Sequence, residues 1–196
     1  MAKEPVMGRV KTRLARQAGA VAATSFYRHA ISTVIGRLCR FPRWRTILAV
    51  DPDTAVPSNH WPAHVQRIGQ GRGELGERMQ RLLDELPPGP LIIVGTDIPA
   101  ITASHIARAF RLLATHDVVL GPAEDGGYWL VGLRRSPRIL RPFLGVRWSG
   151  PHALADTEAN LARCRIAHAD RLADVDDLAD LRRQAPLIGR RVLPLT

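Results

Sequence analysis

Apolar side chains recur at spacings of three and four along several stretches of the chain, the pattern of a helix that buries one face. The clearest case is residues 23–38, and residues 74–86 repeat it until the sequence Pro-Pro-Gly-Pro ends it. Five segments are predicted to be helical: residues 23–38, 74–86, 151–161, 174–184 and the stretch from a cap at Thr102 or Ser104 to about Thr115.

Short apolar runs lie between these helices and are typical of buried strands. Five strands are predicted: residues 46–50, 91–95, 117–121, 128–133 and 165–169. Strands that alternate with helices indicate an α/β domain with a mostly parallel sheet, and such folds bind ligands beyond the carboxyl ends of the strands. No linker interrupts the pattern, so we expect one domain over residues 1–196 with a peripheral tail at 186–196.

Carboxylates follow three of the predicted strands. Asp97 comes after residues 91–95, the turn Glu124-Asp125-Gly126-Gly127 follows 117–121, and Asp51-Pro52-Asp53 follows 46–50. Neighbouring strand ends meet at one edge, where their carboxylates can share a cation such as Mg²⁺, which also binds water and substrate phosphates. The sequence therefore predicts a Mg²⁺ (or Mn²⁺) site at this edge.

Each acidic segment also has a structural interpretation. Asp97 can cap the following helix or shape a turn, and Asp125-Gly126 is a strong turn sequence between antiparallel strands. A turn is the favoured reading of Asp51-Pro52-Asp53, because proline stands at its centre. For residues 174–177, capping of the last helix is favoured.

Positive charge is concentrated at the start of the chain. The formal net charge is +10, and residues 1–45 contain ten basic residues and one acidic residue, Glu4. Such a segment attracts anions, either the phosphates of a small molecule or those of a nucleic acid. Lys3 and Lys11 are the only lysines among 28 basic residues, and both lie in the loop predicted from Lys3 to Arg13.

Several classes of protein are excluded by pattern. No apolar run is long enough for a membrane span, and the first residues lack the apolar core of a signal peptide, so we expect a cytoplasmic protein. Cys39 and Cys164 have no metal-binding spacing and are expected to be free thiols. The segment Gly8-Arg9-Val10-Lys11-Thr12 fails the P-loop pattern, and residues 69–76 do not form a dinucleotide-binding fingerprint.

Six motifs, taken in order and spacing, make up a specific combination: AKEPVMGRVKTRLA, GELGERM, VGTDIPAI, LGPAEDGGYWLVGL, WSG and DVDDLADL. Over roughly residues 2–182, the chain resembles an uncharacterised bacterial transferase family of the glycosyltransferase A type, DUF2064. This family is also described as nucleotide-diphospho-sugar transferase-like. The 2-phospho-L-lactate and molybdenum cofactor guanylyltransferases are similar at a greater distance.

The resemblance implies a glycosyltransferase A fold, a Rossmann-like three-layer sandwich with nucleotide at the carboxyl edge of the sheet. Lys3, Lys11 and Arg13 match the basic motif and are expected to contact phosphates. Asp97 and Asp125 match the two acidic metal-binding positions. The loop expected near base or ribose is matched by Gly73, Leu75 and Gly76.

One departure concerns the first residues. Family members carry an apolar strand before the K-x-P motif, whereas this chain begins Met1-Ala2-Lys3. We expect that the start codon was placed too far downstream. A sheet without that strand leaves buried backbone groups unpaired at about 1–3 kcal/mol each. The 196-residue chain is therefore expected to melt at a lower temperature than a version extended upstream.

The leading hypothesis is a Mg²⁺-dependent enzyme that transfers a glycosyl or nucleotidyl group from a nucleotide to a small-molecule acceptor. Asp97 and Asp125 hold the metal, and Lys11, with Arg13 and Lys3, neutralises charge on the leaving phosphates. The nucleotidyl variant resembles the guanylyltransferases named above. A non-enzymatic basic domain that binds nucleic acid is an alternative, although no known module is apparent, and a degenerate domain without activity is another.

Overall fold

The computed structural model describes residues 1–188, with side chains through residue 183. Its helices are α1 (Thr12–Ala18), α2 (Ala20–Cys39), α3 (Leu75–Glu85), α4 (Ala103–Leu112), α5 (Ala153–Asn160) and α6 (Leu178–Ile188), with a 3₁₀ turn at Asp53–Ala55. Its strands are β1 (Ala2–Lys3), β2 (Ile47–Asp51), β3 (Gln66–Gly69), β4 (Leu91–Val94), β5 (Val118–Pro122), β6 (Tyr128–Leu133) and β7 (Ile166–His168). The five helices and five strands predicted from the sequence are confirmed, with shifted ends.

The chain divides into two compact units, each described by itself below, and the prediction of a single domain stays a prediction. The first unit comprises Met1–Gly69, Thr96–Thr102 and the chain from Ala173 onward, and the second comprises Gln70–Gly95 and Ala103–Leu172.

The first unit contains a parallel sheet in the order β1-β2-β3. Strand β2 pairs with both neighbours, through Ala2 opposite Val50 and Ile47 opposite Gln66. Helix α2 contributes its apolar stripe to two buried clusters. One of them packs Tyr27, Ile31 and Ile35 with residues of the sheet, and the other packs Phe26 and Ala30 with residues of α1 and α6.

The second unit contains a four-stranded sheet in the order β4-β6-β5-β7. Strand β6 is antiparallel to β4 and β5, and β5 is parallel to β7. All five residues of β5 are buried, which explains its continuous apolar sequence. Within residues 1–188, three of the five strand pairings are parallel. The predicted fold class, α/β with a mostly parallel sheet, is confirmed.

Four local features differ from the sequence predictions. A short strand, β1, leads into the K-x-P motif and pairs with β2, although the strand at this position was predicted to be missing. Helix α1 was not predicted, and it places Arg13 in a helix rather than in the basic loop. Strand β3 was not predicted, because Gln66 and Arg67 interrupt its apolar character. Helix α6 begins at Leu178, four residues later than predicted. Of the predicted tail, residues 189–196 lie outside the described residues.

Two further predictions concern membrane-spanning helices and the state of the cysteines. The described helices include none that is both long and apolar enough to cross a membrane. Cys39, in α2, and Cys164, before β7, are both free thiols.

Candidate active site

A cavity of about 330 Å³ opens in the first unit where the basic segment lies against Asp97. Four of its lining residues are basic and two are acidic. The lining comprises Lys3, Arg9, Val10, Lys11, Thr12, Arg13, Tyr27, Asp97 and Asp176.

Local backbone structure places the basic side chains in this cavity. Lys3 ends β1, and its backbone N–H donates to the buried Tyr27 hydroxyl at 3.0 Å. Lys11 immediately precedes α1 with a left-handed backbone (φ 45°), which is uncommon for a residue other than glycine. That conformation turns the chain from the loop into the helix, and Arg13 follows in the first turn.

Lys11 is held by two carboxylates. Its Nζ lies 2.8 Å from Oδ2 of Asp97 and 3.0 Å from Oδ1 of Asp176. The Lys11 side chain is only 7% exposed, whereas those of Asp97 and Asp176 are 36% and 37% exposed. Arg13 reaches the other oxygen of Asp176 at 3.3 Å. A nearly buried ammonium group is thus fixed between two carboxylates that remain open to solvent.

The ion pair determines the protonation states of both partners. Burial alone would lower the pKa of Lys11, but the charges and hydrogen bonds of Asp97 and Asp176 outweigh it and raise the pKa above its usual value. Burial would likewise raise the pKa of Asp97, but the Lys11 ammonium group holds that pKa below its usual value. At neutral pH, Lys11 is therefore a cation and Asp97 an anion.

Asp176 is a site residue that the sequence analysis did not identify. The predicted capping of α6 is performed by Asp177, whose carboxylate accepts the N–H of Asp180 at 2.9 Å. In return, the Asp180 carboxylate accepts the N–H groups of Asp176 and Asp177. The Asp176 side chain is left to bind Lys11 and Arg13. Its position in the DVDDLADL motif was the one available signal.

Two other basic residues of the first 45 bind backbone carbonyl groups. Arg37 donates to the carbonyl oxygens of Pro99 and Ile101, and Arg28 donates to that of Pro5. Part of the positive charge therefore stabilises the fold, which weakens the hypothesis that this segment binds the phosphate backbone of a nucleic acid.

Asp125 lies in the second unit, in the turn that joins β5 to β6. Its Oδ1 accepts the N–H of Gly127 at 2.9 Å, and Gly126 has a left-handed backbone (φ 84°). The turn interpretation is thus confirmed, because the side chain closes the turn between two antiparallel strands. Asp125 is exposed, and its assignment as a metal ligand stays a prediction.

The predicted base or ribose loop lies at the start of α3. Glu74 and Glu77 cap this helix reciprocally. Gly73 precedes them with a left-handed backbone (φ 106°), and Leu75 is partly exposed. A Cβ atom on Gly76 would lie 3.0 Å from the Cβ and carbonyl oxygen of Phe143 and from the Trp148 ring, so α3 approaches both residues closely.

Tyr128 and Trp129 have the opposite orientations expected along a strand. Trp129 is buried and donates its indole N–H to the Asp170 carbonyl group at 2.9 Å. Tyr128 is half-buried, with its ring edge-on to Trp148. Burial raises the pKa of Tyr128 above its usual value, so this phenol is neutral at physiological pH. Trp148 therefore lies between the start of α3 and Tyr128, the first residue of β6.

The donors near Lys11 have a chemistry compatible with a divalent cation. Asp97 and Asp176 already surround one cationic group, and Mg²⁺ takes one or two protein carboxylates in addition to water and phosphate oxygens. Within the described residues, three or more His, Cys, Asp or Glu side chains nowhere converge on one point. Phosphate oxygens would therefore have to supply part of the metal's coordination.

The structure thus brings Lys3, Lys11, Arg13 and Asp97 together around one cavity of the first unit. The other predicted site residues, Gly73, Leu75, Gly76 and Asp125, belong to the second unit.

Comparison with solved structures shows two proteins whose folds are similar to that of this chain. The fold is similar to that of a Desulfovibrio desulfuricans G20 protein provisionally assigned as a nucleotide-diphospho-sugar transferase, with 26% identity, a TM-score of 0.79 and coverage of 95% of this chain and 93% of that one. It is also similar to 4-diphosphocytidyl-2C-methyl-D-erythritol synthase from Anaerococcus prevotii DSM 20548, with 7% identity, a TM-score of 0.57 and coverage of 93% and 94%. The latter shows the fold alone.

The chain belongs to the family described as "Uncharacterized protein conserved in bacteria (DUF2064)", which matches residues 34–150. A 2-phospho-L-lactate guanylyltransferase from Methanopyrus kandleri is 35% identical over 117 residues, which is 58% of this chain. The match spans 60% of the length of that relative. The Methanopyrus relative is named as a transferase and the Desulfovibrio protein is provisionally assigned as one, and both support the prediction of a transferase-like enzyme.

Proposed function

We propose that this protein is a Mg²⁺-dependent nucleotidyltransferase that transfers a nucleoside monophosphate group from a nucleoside triphosphate to a small acceptor. The observation that carries the proposal is the cavity in which Lys3, Arg9, Lys11 and Arg13 surround Asp97. Nucleotidyl transfer is preferred to glycosyl transfer because the relative at 35% identity is a guanylyltransferase.

The reaction needs positioning and charge neutralisation more than it needs a protein nucleophile. An acceptor oxygen forms a bond to the α-phosphorus, and the bond from that phosphorus to the bridging oxygen breaks, so that pyrophosphate leaves. Lys11, Lys3, Arg9 and Arg13 bind the phosphates and offset the negative charge that develops on the leaving pyrophosphate.

The pKa of Lys11 defines its role. Because Asp97 and Asp176 raise this pKa, Lys11 keeps its proton at neutral pH and does not serve as a general base. It acts instead as a fixed cation with N–H donors for phosphate oxygens. The two carboxylates orient it, and their partial exposure leaves them within reach of solvent.

Asp97 and Asp176 are the proposed metal-binding carboxylates of this cavity, because both contact Lys11, and the assignment of Asp125 as a metal ligand stays a prediction from the sequence. A bound Mg²⁺ ion would supply positive charge to the phosphate oxygens of the nucleotide. The proposal assigns the protein side chains the binding and orientation of that nucleotide.

A thermal-shift screen tests binding. Nucleoside triphosphates and nucleotide sugars are added with and without Mg²⁺, and we expect the melting temperature to rise only when a triphosphate and Mg²⁺ are both present. Asp97→Asn should abolish the rise. Asp170→Asn is the matched control, because it removes a carboxylate that pairs with Arg108 in the second unit.

Product analysis tests the reaction class. The proposed activity releases pyrophosphate from a triphosphate, whereas a glycosyltransferase releases the nucleoside diphosphate from a nucleotide sugar. Release of diphosphate from a nucleotide sugar, with no pyrophosphate from any triphosphate, would contradict nucleotidyl transfer. Oligonucleotide binding that needs no Mg²⁺ and weakens steeply with salt would favour the nucleic-acid alternative.

A further inference from the structure

The second unit contains its own cavity, of about 350 Å³, away from the acidic turn. It lies where β6 ends and where β5 and β7 begin, whereas Asp125 lies beyond the other end of β5. Four of its lining residues are arginines. The lining comprises Asp117, Arg134, Arg135, Ser136, Pro137, Arg138, Leu140, Arg163 and Cys164.

Asp117 is the one acidic lining residue, and it is already paired. Its Oδ1 accepts from Nη2 of Arg134 at 2.7 Å, and its Oδ2 accepts the backbone N–H of Arg165 at 2.9 Å. The Arg165 side chain lies 3.7 Å from the same Oδ2. These contacts hold the pKa of Asp117 below its usual value, with the Arg165 N–H as the main cause. The Asp117 carboxylate therefore fixes the position of Arg134, and the cavity lining keeps a net positive charge.

Arg135 also has a structural role. Its guanidinium donates to the carbonyl oxygens of Leu83, Leu86, Pro87 and Gly89, in and after the last turn of α3. Four of its five N–H donors are used by the backbone, so Arg135 contributes mainly positive charge to the cavity.

The other three arginines have unused donors. The Nε–H of Arg134 is buried and has no acceptor among the described residues. The Arg134 side chain as a whole is 33% exposed, so part of it is accessible from the cavity that it lines. Arg138 and Arg163 are exposed, and the described residues provide no ion pair for either guanidinium.

We propose that this cavity is a binding site for a phosphate monoester group on a small molecule, separate from the proposed nucleotide site. Arg134, Arg138 and Arg163 bind the phosphate oxygens, because guanidinium groups form paired, charge-assisted hydrogen bonds with phosphate. The cavity volume falls within the range of small-molecule sites, so a phosphate with a short organic group would fit.

Cys164 provides a local readout, because it is one of the residues that line the cavity. Neutral iodoacetamide alkylates both free cysteines, and mass spectrometry of peptides gives a separate rate for each. Inorganic phosphate should slow alkylation of Cys164 by a factor of about 1 + [phosphate]/Kd, or roughly tenfold at ten times Kd. Cys39, in the first unit, should be alkylated at an unchanged rate.

Ligand chemistry and variants complete the test. Glycerol 3-phosphate should protect Cys164 and glycerol should not. The double variant Arg138→Gln/Arg163→Gln should lose the protection, and its exposed positions should leave the melting temperature unchanged. Arg111→Gln/Arg171→Gln is the matched control, because both of these arginines are exposed and lie outside the cavity. Lys11→Met should keep the protection, since Lys11 belongs to the other cavity.

Two results would overturn the proposal. One is equal protection by phosphate and by potassium chloride at the same ionic strength, which would show general screening instead of a site. The other is protection that survives in Arg138→Gln/Arg163→Gln.

Discussion

Lys11 and Asp97, which are 86 residues apart in the chain, meet in an ion pair with a distance of 2.8 Å from Nζ to Oδ2. The pair joins the basic segment to the residues that follow β4. It gives both partners a fixed charge at neutral pH, and it forms part of the wall of the proposed nucleotide cavity.

Removal of Lys11 should affect both stability and binding. Lys11→Met leaves the partly exposed Asp97 and Asp176 close together without their shared cation, and we expect the free energy of unfolding to fall by about 1–3 kcal/mol. Urea denaturation measures this loss. The Mg²⁺-nucleotide thermal shift should disappear as well.

Lys3→Met is the matched control, because it removes the second lysine, whose side chain is exposed. It should weaken nucleotide binding and leave unfolding nearly unchanged. Combining Lys11→Met with Asp97→Asn should destabilise the protein by less than the sum of the single variants, since the two residues contact each other. If the losses of unfolding free energy in the two single variants add up to that of the double variant, the Lys11–Asp97 ion pair does not stabilise the protein.

The ion pair also predicts a pH dependence. The pKa of Asp97 is lower in the folded protein than in the unfolded chain, so its stabilisation is fully present above the unfolded pKa of about 3.9. It is lost as the pH falls through the folded pKa, because the unfolded state then binds more protons. When the free energy of unfolding is measured by urea denaturation between roughly pH 2 and pH 6, it should change less steeply with pH for Asp97→Asn than for wild type. An unchanged slope would contradict the assignment.

The turn that carries Asp125 should not tolerate a side chain at Gly126. A Cβ atom there would lie 2.5–2.8 Å from backbone atoms of Pro151, and the backbone is left-handed. Gly126→Ala should therefore cost about 2 kcal/mol or more in unfolding free energy. Gly150→Ala is the control, because its Cβ would meet nothing within 4 Å. Equal melting temperatures for the two variants would contradict the described packing.

Arg135 and Arg138 are three positions apart and should respond differently to substitution. Arg135→Gln removes donors from the carbonyl groups at the end of α3, and we expect a loss of about 1–3 kcal/mol in urea denaturation. Arg138→Gln should be nearly neutral, because its side chain is exposed. A comparable loss in both variants would show that general charge, rather than capping of α3, matters here.

The strongest sequence patterns predicted the fold best. The stripe at residues 23–38 gave α2, and the apolar run at 128–133 gave β6, because burial dominates both. Helix α1 was missed since it is short and basic and has no side-chain cap at Lys11. Strand β3 was missed because only its pairing with β2 makes Gln66 and Arg67 part of a sheet.

The candidate site was predicted in part. The sequence predicted that the basic motif and the carboxylate after β4 belong to one site, and Lys11 contacts Asp97 in the structure. Asp176 could not be distinguished from its neighbour Asp177, because both acids precede a helix and either can cap it. Only the tertiary contact with Lys11 and Arg13 determines which of the two carboxylates faces the cavity.

Asp176 contacts Lys11 across 165 positions of sequence. During synthesis on the ribosome, Lys11 can therefore meet its second carboxylate only after a further 165 residues have been added. In a nascent chain that contains Asp97 but not yet Asp176, Lys11 can form only one of its two ion pairs. The proposed phosphate site would then be complete only after Asp176 has left the ribosome.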